Sequence, residues 1–166
     1  METTTAIKNE QTQNVVLCDV PRSDNDVYRV SRSEYKGVCY FDLRIFFRSK
    51  ADATLLVPTT KGVCFPEKLR EDIIAGLILA RKASGVECPK GEQFRSVKVC
   101  DVLISATEHY RISKGSGAKN TFVDIRKFFQ KDGAYIPSKR KGVTILEGSL
   151  DEVIMGLMRT EADYAA

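Results

Sequence analysis

Asp42-Leu43-Arg44-Ile45-Phe46-Phe47 is followed, 82 residues on, by Asp124-Ile125-Arg126-Lys127-Phe128-Phe129. Working outward from these hexamers, residues 15–47 align without a gap on residues 97–129. Identical residues occupy 12 of the 33 positions, among them Cys18/Cys100, Asp19/Asp101, Tyr28/Tyr110, Asp42/Asp124 and Arg44/Arg126. Ordinary composition would give about two matches. Past the paired phenylalanines the offset falls to 80, with Lys61-Gly62 matching Lys141-Gly142 and Gly76-Leu77 matching Gly156-Leu157. The first repeat therefore carries two extra residues in one loop, and such a length change marks a surface turn. The chain reads as a duplication.

Within each repeat the pattern predicts strands followed by one helix. Residues 27–35 alternate weakly, residues 38–47 are rich in β-branched and aromatic types, and residues 54–58 and 62–65 are short apolar stretches between turn residues. After Pro66 the period changes. Ile73, Ile74, Leu77 and Ile78, matched by Leu150, Val153, Ile154, Leu157 and Met158, follow the i, i+3, i+4, i+7, i+8 stripe of an amphipathic helix, with Pro66 and Ser149 as starts. The expected fold class is α+β: two tandem ββββα repeats, each a four-stranded antiparallel sheet plus one helix, packed as an intramolecular pseudo-dimer. The expected boundaries are a disordered tail over 1–13, a first repeat over 14–81, a linker over 82–95 punctuated by Gly85, Pro89 and Gly91, and a second repeat over 96–162. Residues 15–20 and 97–102 read as additions ahead of the first strand.

With 166 residues, 43% hydrophobic and 29% charged, the chain can build a packed core, which excludes a disordered protein. No apolar run approaches the ~18 residues of a membrane span, and the polar start is not a leader. The expectation is a soluble intracellular protein, nuclear in a eukaryotic cell and otherwise cytoplasmic. Five cysteines, odd in number and never spaced C-x-x-C, argue for reduced core thiols rather than disulfides or a metal cage. No cofactor or metal is expected.

The formal charge of +4 is unevenly spread. Residues 29–62 hold seven basic against three acidic side chains and residues 111–142 nine against two, whereas residues 147–166 hold five acids and one arginine. Basic strands in acidic surroundings are a nucleic-acid footprint. Tyr35, Tyr40, Phe46 and Phe47 are interleaved with the first basic set, and Phe122, Phe128, Phe129 and Tyr135 with the second. Adjacent phenylalanines on a strand point to opposite faces, so one of each pair leaves the helix-covered core unless the other repeat covers it. Exposed aromatics beside cations form a platform for unpaired bases.

Three motifs recur together: Glu34-Tyr35-Lys36-Gly37; Asp-aliphatic-Arg-x-Phe-Phe at 42–47 and 124–129; and Pro58-Thr59-Thr60-Lys61-Gly62-Val63, echoed from Pro137 to Val143. Their order and spacing, ending in a helix, resemble the Positive Cofactor Four family of transcriptional coactivators. The resemblance spans about Tyr28–Arg81 and Tyr110–Thr160. It implies curved ββββα sheets that bind single-stranded or melted DNA with little sequence preference, and a dimer that here is intramolecular. Matched residue by residue, it implies base stacking on Tyr35, Phe47 and Phe129, and phosphate contacts from Lys36, Arg44, Lys61, Arg126 and Lys141. The second repeat departs from the pattern, with Gly117 and Ala118 in place of Tyr35 and Lys36. One stacking platform is thereby lost, offset by the charge of Lys114, Lys119, Lys139, Arg140 and Lys141. The family's Ser-rich acidic tail is absent from the sequence.

Other motifs carry less. Residues 115–121 lack the spacing of a phosphate loop and read as a hairpin. His109, the only histidine, matches Val27 in the first repeat and reads as surface or partly packed rather than catalytic. Asp42 and Asp124 lack a second acid nearby for metal-dependent nuclease chemistry. Lys139-Arg140-Lys141 is too short to define a nuclear signal, and Arg81-Lys82-Ala83-Ser84 is equally weak as a kinase site. The sequence therefore reads as a non-enzymatic single-stranded DNA-binding protein of transcription, replication or repair. Its expected partners are single-stranded DNA and proteins of those machineries, and the pseudo-dimer can assemble further. The alternatives are RNA binding on the same fold and a protein-interaction module.

Overall fold

The computed structural model describes residues 14–159, so the expected tail over 1–13 lies outside the described residues. Strands β1 (Val15–Pro21), β2 (Asp26–Tyr35), β3 (Val38–Arg48) and β4 (Leu56–Pro66) precede a 3-10 turn (Glu67–Leu69) and helix α1 (Arg70–Lys82). Strands β5 (Phe94–Leu103), β6 (Glu108–Gly117), β7 (Thr121–Lys131) and β8 (Ala134–Leu146) precede helix α2 (Glu147–Leu157). The result is a mixed α+β fold with one eight-stranded sheet, ordered β1-β2-β3-β4-β8-β7-β6-β5. Neighbours are antiparallel except at the centre, where β4 and β8 run parallel and meet at a single pair, Gly62 with Lys141.

The halves match in detail. Bulges fall between Val16 and Cys18 in β1 and between Lys98 and Cys100 in β5, and the register shifts again opposite Arg44–Phe46, where β4 carries the extra residues, and opposite Arg126–Phe128, where β8 does. The β2–β3 hairpin closes through Lys36 and Gly37, whose positive φ values of 51° and 77° fit a two-residue turn matched to strand twist. Asp132 and Gly133 close the β7–β8 hairpin in the same way, whereas Ser49–Leu55 separate β3 from β4.

Three expectations about elements are corrected. Residues 54–58 and 62–65 are not two strands, because β4 runs unbroken from Leu56 to Pro66. The missing fourth strand is β1, so residues 15–21 are integral rather than an addition. Ser149 does not start α2, which begins at Glu147. Its hydroxyl instead donates to the Pro21 carbonyl at 3.2 Å.

The helices also cross over. α1 packs on β5 and β6 of the second half, while α2 packs on β1 and β2 of the first and on β7 and β8. The crossing is close: a Cβ on Gly76 would stand 2.4 Å from Ile112 Cδ1 and 2.8 Å from Cys100 Sγ. Gly156 meets Cys18 and Val30 in the same manner. Glycine here lets a helix backbone sit directly on a foreign strand. One core results, in which Tyr28, Leu43, Phe65, Ile73 and Leu77 of the first half pack with Ile112, Ile125, Ile145, Leu150 and Leu157 of the second. Fully burying each such aliphatic side chain is worth about 1.5–3 kcal/mol. Buried tyrosines tie the halves by hydrogen bonds as well. The Tyr28 hydroxyl donates to the Thr144 carbonyl (2.9 Å) and accepts from the Leu146 N–H (3.0 Å), and the Tyr110 hydroxyl donates to the Cys64 carbonyl (2.6 Å).

None of the five cysteines, all among the described residues, is in a disulfide; none is fully buried and Cys64 is exposed, which corrects their expected place in the core. Cys18 and Cys100 pack against the core's edge. No helix among the described residues is long and apolar enough to cross a membrane.

Candidate nucleic-acid interface

Alternation along the strands sorts the charged and aromatic residues between two faces. In β3, Phe41, Leu43 and Ile45 are buried under the helices, so Asp42, Arg44 and Phe46 lie on the opposite, open face. In β7, Val123 and Ile125 are buried, and Asp124, Arg126 and Phe128 face out. Each open face repeats one arrangement. Arg29 pairs with Asp19 (2.8 Å) and sits over Phe46 at 4.7 Å, while Arg111 pairs with Asp101 (2.9 Å) and sits over Phe128 at 4.4 Å. The register explains it, since Asp19 lies opposite Arg29 and Asp101 opposite Arg111.

The open faces are therefore less basic than their composition implies. Arg44 bonds both Asp42 oxygens at 3.1 Å and donates to the Thr59 carbonyl at 2.9 Å. Arg126 bonds Asp124 at 3.3 Å and donates to the Ser138 carbonyl at 3.0 Å. Thr144 completes the second set by donating to Asp124 at 2.8 Å. Asp101 titrates below the ordinary carboxylate range: burial by itself would raise it, but bonding to the Arg111 guanidinium and the charges of Arg111, His109 and Lys98 outweigh burial.

Other cations stay free. Lys36, Lys61, Lys139, Arg140 and Lys141 are exposed and form no ion pair among the described residues. The fold brings Lys61 of the first half to Lys139, Arg140 and Arg126 of the second around a seam pocket of about 330 Å³, to which Arg22 also contributes.

The aromatics expected to stack are exposed, Tyr35 by 46%, Phe47 by 43% and Phe129 by 37%. Tyr35 ends β2 with the Lys36 ammonium 5.3 Å from its ring centre. Phe47 pairs in register with Asp26, and Phe129 with Glu108, on the side of their strands that carries the core. It is Phe46 and Phe128 that share a face with Arg44 and Arg126.

Lys114 does not belong to this surface. It is 5% exposed on the helix side of β6, and its ammonium donates to the carbonyls of Ala83 (2.7 Å) and Arg81 (3.3 Å), capping the C-terminus of α1. His109 is likewise buried rather than superficial. Its ring stacks on Phe128 at 5.5 Å, 4.7 Å from the Tyr135 ring centre.

Sequence reasoning missed one feature. The open face of the second half holds a groove of about 840 Å³ lined by Phe94, Phe122 and Phe128 together with Lys119, Asp124 and Arg126. Only the side-chain-poor run Gly115-Ser116-Gly117-Ala118 hinted at open space there.

Comparison with known proteins shows what the chain is similar to. Residues 23–75 match the family model described as Transcriptional Coactivator p15 (PC4). Two crystal forms of a PC4 homologue from Burkholderia pseudomallei are similar to this chain. The orthorhombic form has 28% identity, covering 43% of this chain and 95% of the homologue, with a TM-score of 0.40. For the tetragonal form the figures are 32%, 39%, 94% and 0.36. Comparison with curated proteins found no match. The chain is PC4-like, with the family match lying in residues 23–75.

Proposed function

We propose that this protein binds single-stranded DNA with little sequence preference, without enzymatic activity, and serves transcription, replication or repair by holding unpaired strands. The match of residues 23–75 to the PC4 family model supports nucleic-acid binding of a coactivator-like kind. The observation that carries the finer reading is the seam pocket, where Lys61 from one half meets Lys139 and Arg140 from the other. Cations drawn from two strands 80 residues apart create a local positive potential that neither half has alone, and phosphates release counterions on reaching it. Tyr35, Phe47 and Phe129 offer exposed rings to bases, which a duplex keeps stacked inside. On this reading residues 14–81 and 96–162 act as the two halves of an intramolecular pseudo-dimer.

A labelled oligo(dT) and the corresponding duplex, titrated at two salt concentrations, test the proposal. Tighter binding to the single strand, weakening as salt rises, is expected. Equal or better duplex affinity at physiological salt, or a flat salt response, would overturn it. Competition of poly(dT) against poly(U) separates DNA from RNA, because stacking and phosphate contacts do not sense the sugar unless a 2′-hydroxyl is read.

A further inference from the structure

The second half lacks the Tyr35-Lys36 pair, yet its open face carries an aromatic concavity of its own. At the position of Ser33 the second half has Gly115, whose absent side chain leaves room for the Phe122 ring. A Cβ on Gly115 would stand 2.7 Å from Phe122 Cζ and 2.6 Å from the Arg95 carbonyl oxygen. The ring of Phe122, from β7, thereby reaches across β6 to Phe94 on β5, edge to face at 6.4 Å. Phe94 remains 60% exposed. Gly117 and Ala118 line the same groove and put no bulk at its mouth.

Two features indicate what fits. The groove's volume, about 840 Å³, is in the range of small-ligand sites, ~300–1,000 Å³. It also adjoins the cation cluster, since Arg126 and Thr144 line both the groove and the seam pocket. An aromatic trough opening onto free cations matches a nucleotide, with the base on the rings and the phosphate at the seam. We propose that Phe94 and Phe122 form the second half's own platform for an unstacked base, replacing the hairpin platform of Tyr35. This rests on the single-strand reading above.

The test uses the full chain with labelled oligo(dT) and an oligomer of equal length whose bases are replaced by abasic sites. Phe94→Ala should weaken oligo(dT) binding about 5- to 150-fold, the range expected for one lost base stack. The slope of log affinity against log salt, the affinity for the abasic oligomer and the melting temperature should stay at wild-type values. Phe94→Trp should restore binding, and Phe122→Leu, which keeps apolar volume without a flat aromatic face, should reproduce the loss. Unchanged oligo(dT) binding in Phe94→Ala and Phe122→Leu, with wild-type binding intact, overturns the groove assignment alone. An equal loss on the abasic oligomer does so too, because the contact is then not to a base. Failure of the wild-type protein to bind oligo(dT) overturns the single-strand reading and this inference with it.

Discussion

The guanidinium of Arg126 lies on the α-carbon of Gly142, so closely that a Cβ there would stand 2.6 Å from its Cζ. Arg44 covers Gly62 in the same way, at 2.9 Å. Each arginine joins an aspartate on its own strand to a carbonyl on the next, just ahead of the exposed lysines. Gly142→Ala should push Arg126 off Asp124 and the Ser138 carbonyl. The expected cost is about 1 kcal/mol, since the pair is partly solvated. Denaturant melts of Gly142→Ala and Gly62→Ala measure it, and wild-type stability in both would show the arginine brackets to be dispensable.

Salt dependence should follow the free cations. Lys36, Lys61, Lys139, Arg140 and Lys141 number five, and at about −0.7 per phosphate on a single strand the slope of log affinity against log salt is roughly −3.5. Lys61→Ala should reduce its magnitude by about 0.7. A variant slope equal to wild type would remove Lys61 from the interface.

Tyr35→Ala should cost on the order of 1–3 kcal/mol in binding to oligo(dT) with little change in that slope, because it removes a stacking surface and no charge. At 46% exposure its loss should shift stability by no more than ~0.5 kcal/mol. A large drop in melting temperature would instead identify Tyr35 as a packing residue.

Lys114→Ala should behave in the opposite sense. The substitution strips the Arg81 and Ala83 carbonyls of their buried partner, at a cost of about 1–3 kcal/mol of stability. The salt slope of binding should not move. Reduced salt dependence with unchanged stability would return Lys114 to the phosphate-contacting set.

Burial pushes the Tyr110 hydroxyl up to about 12, aided by repulsion from Cys64 and Glu108. An unfolded tyrosine ionises near ~10, so between the two values the unfolded chain releases a proton that the native state keeps. Stability from this group is complete below ~pH 10 and is lost as pH rises toward 12, by up to about 3 kcal/mol. Tyr110→Phe should be less stable than wild type at neutral pH, having orphaned the Cys64 carbonyl, and should show a shallower alkaline decline. Parallel alkaline declines in the two proteins would contradict this.

Local patterns carried much of the architecture. The 82-residue echo of Asp42–Phe47 marked the corresponding strands β3 and β7, and the stripe of Ile73, Leu77 and their counterparts located both helices. The spacing of Asp42 and Arg44 already contained their ion pair, because residues two apart on a strand share a face. Residues 15–20 were misjudged for lack of a family counterpart, although Leu17 and Val20 are core residues.

The amino-acid sequence by itself determined the two helices, the strands around the Asp-x-Arg hexamers, and which side of each is apolar, because these follow from side-chain period and turn chemistry over a few residues. Only the tertiary structure decided what covers each apolar side. An amphipathic stripe specifies that α1 must be buried but not under whose strands, and the choice of β5 and β6 depends on Gly76 meeting Cys100 and Ile112. That crossing puts Lys114 at the end of α1, while the central pairing of β4 with β8 draws Lys61 to Lys139 and Arg140. Similarly, Phe94 reaches Phe122 only because three strands pair in register across Gly115. Contacts between residues so distant in the chain leave no periodic trace in it, since their geometry exists only once the halves have packed.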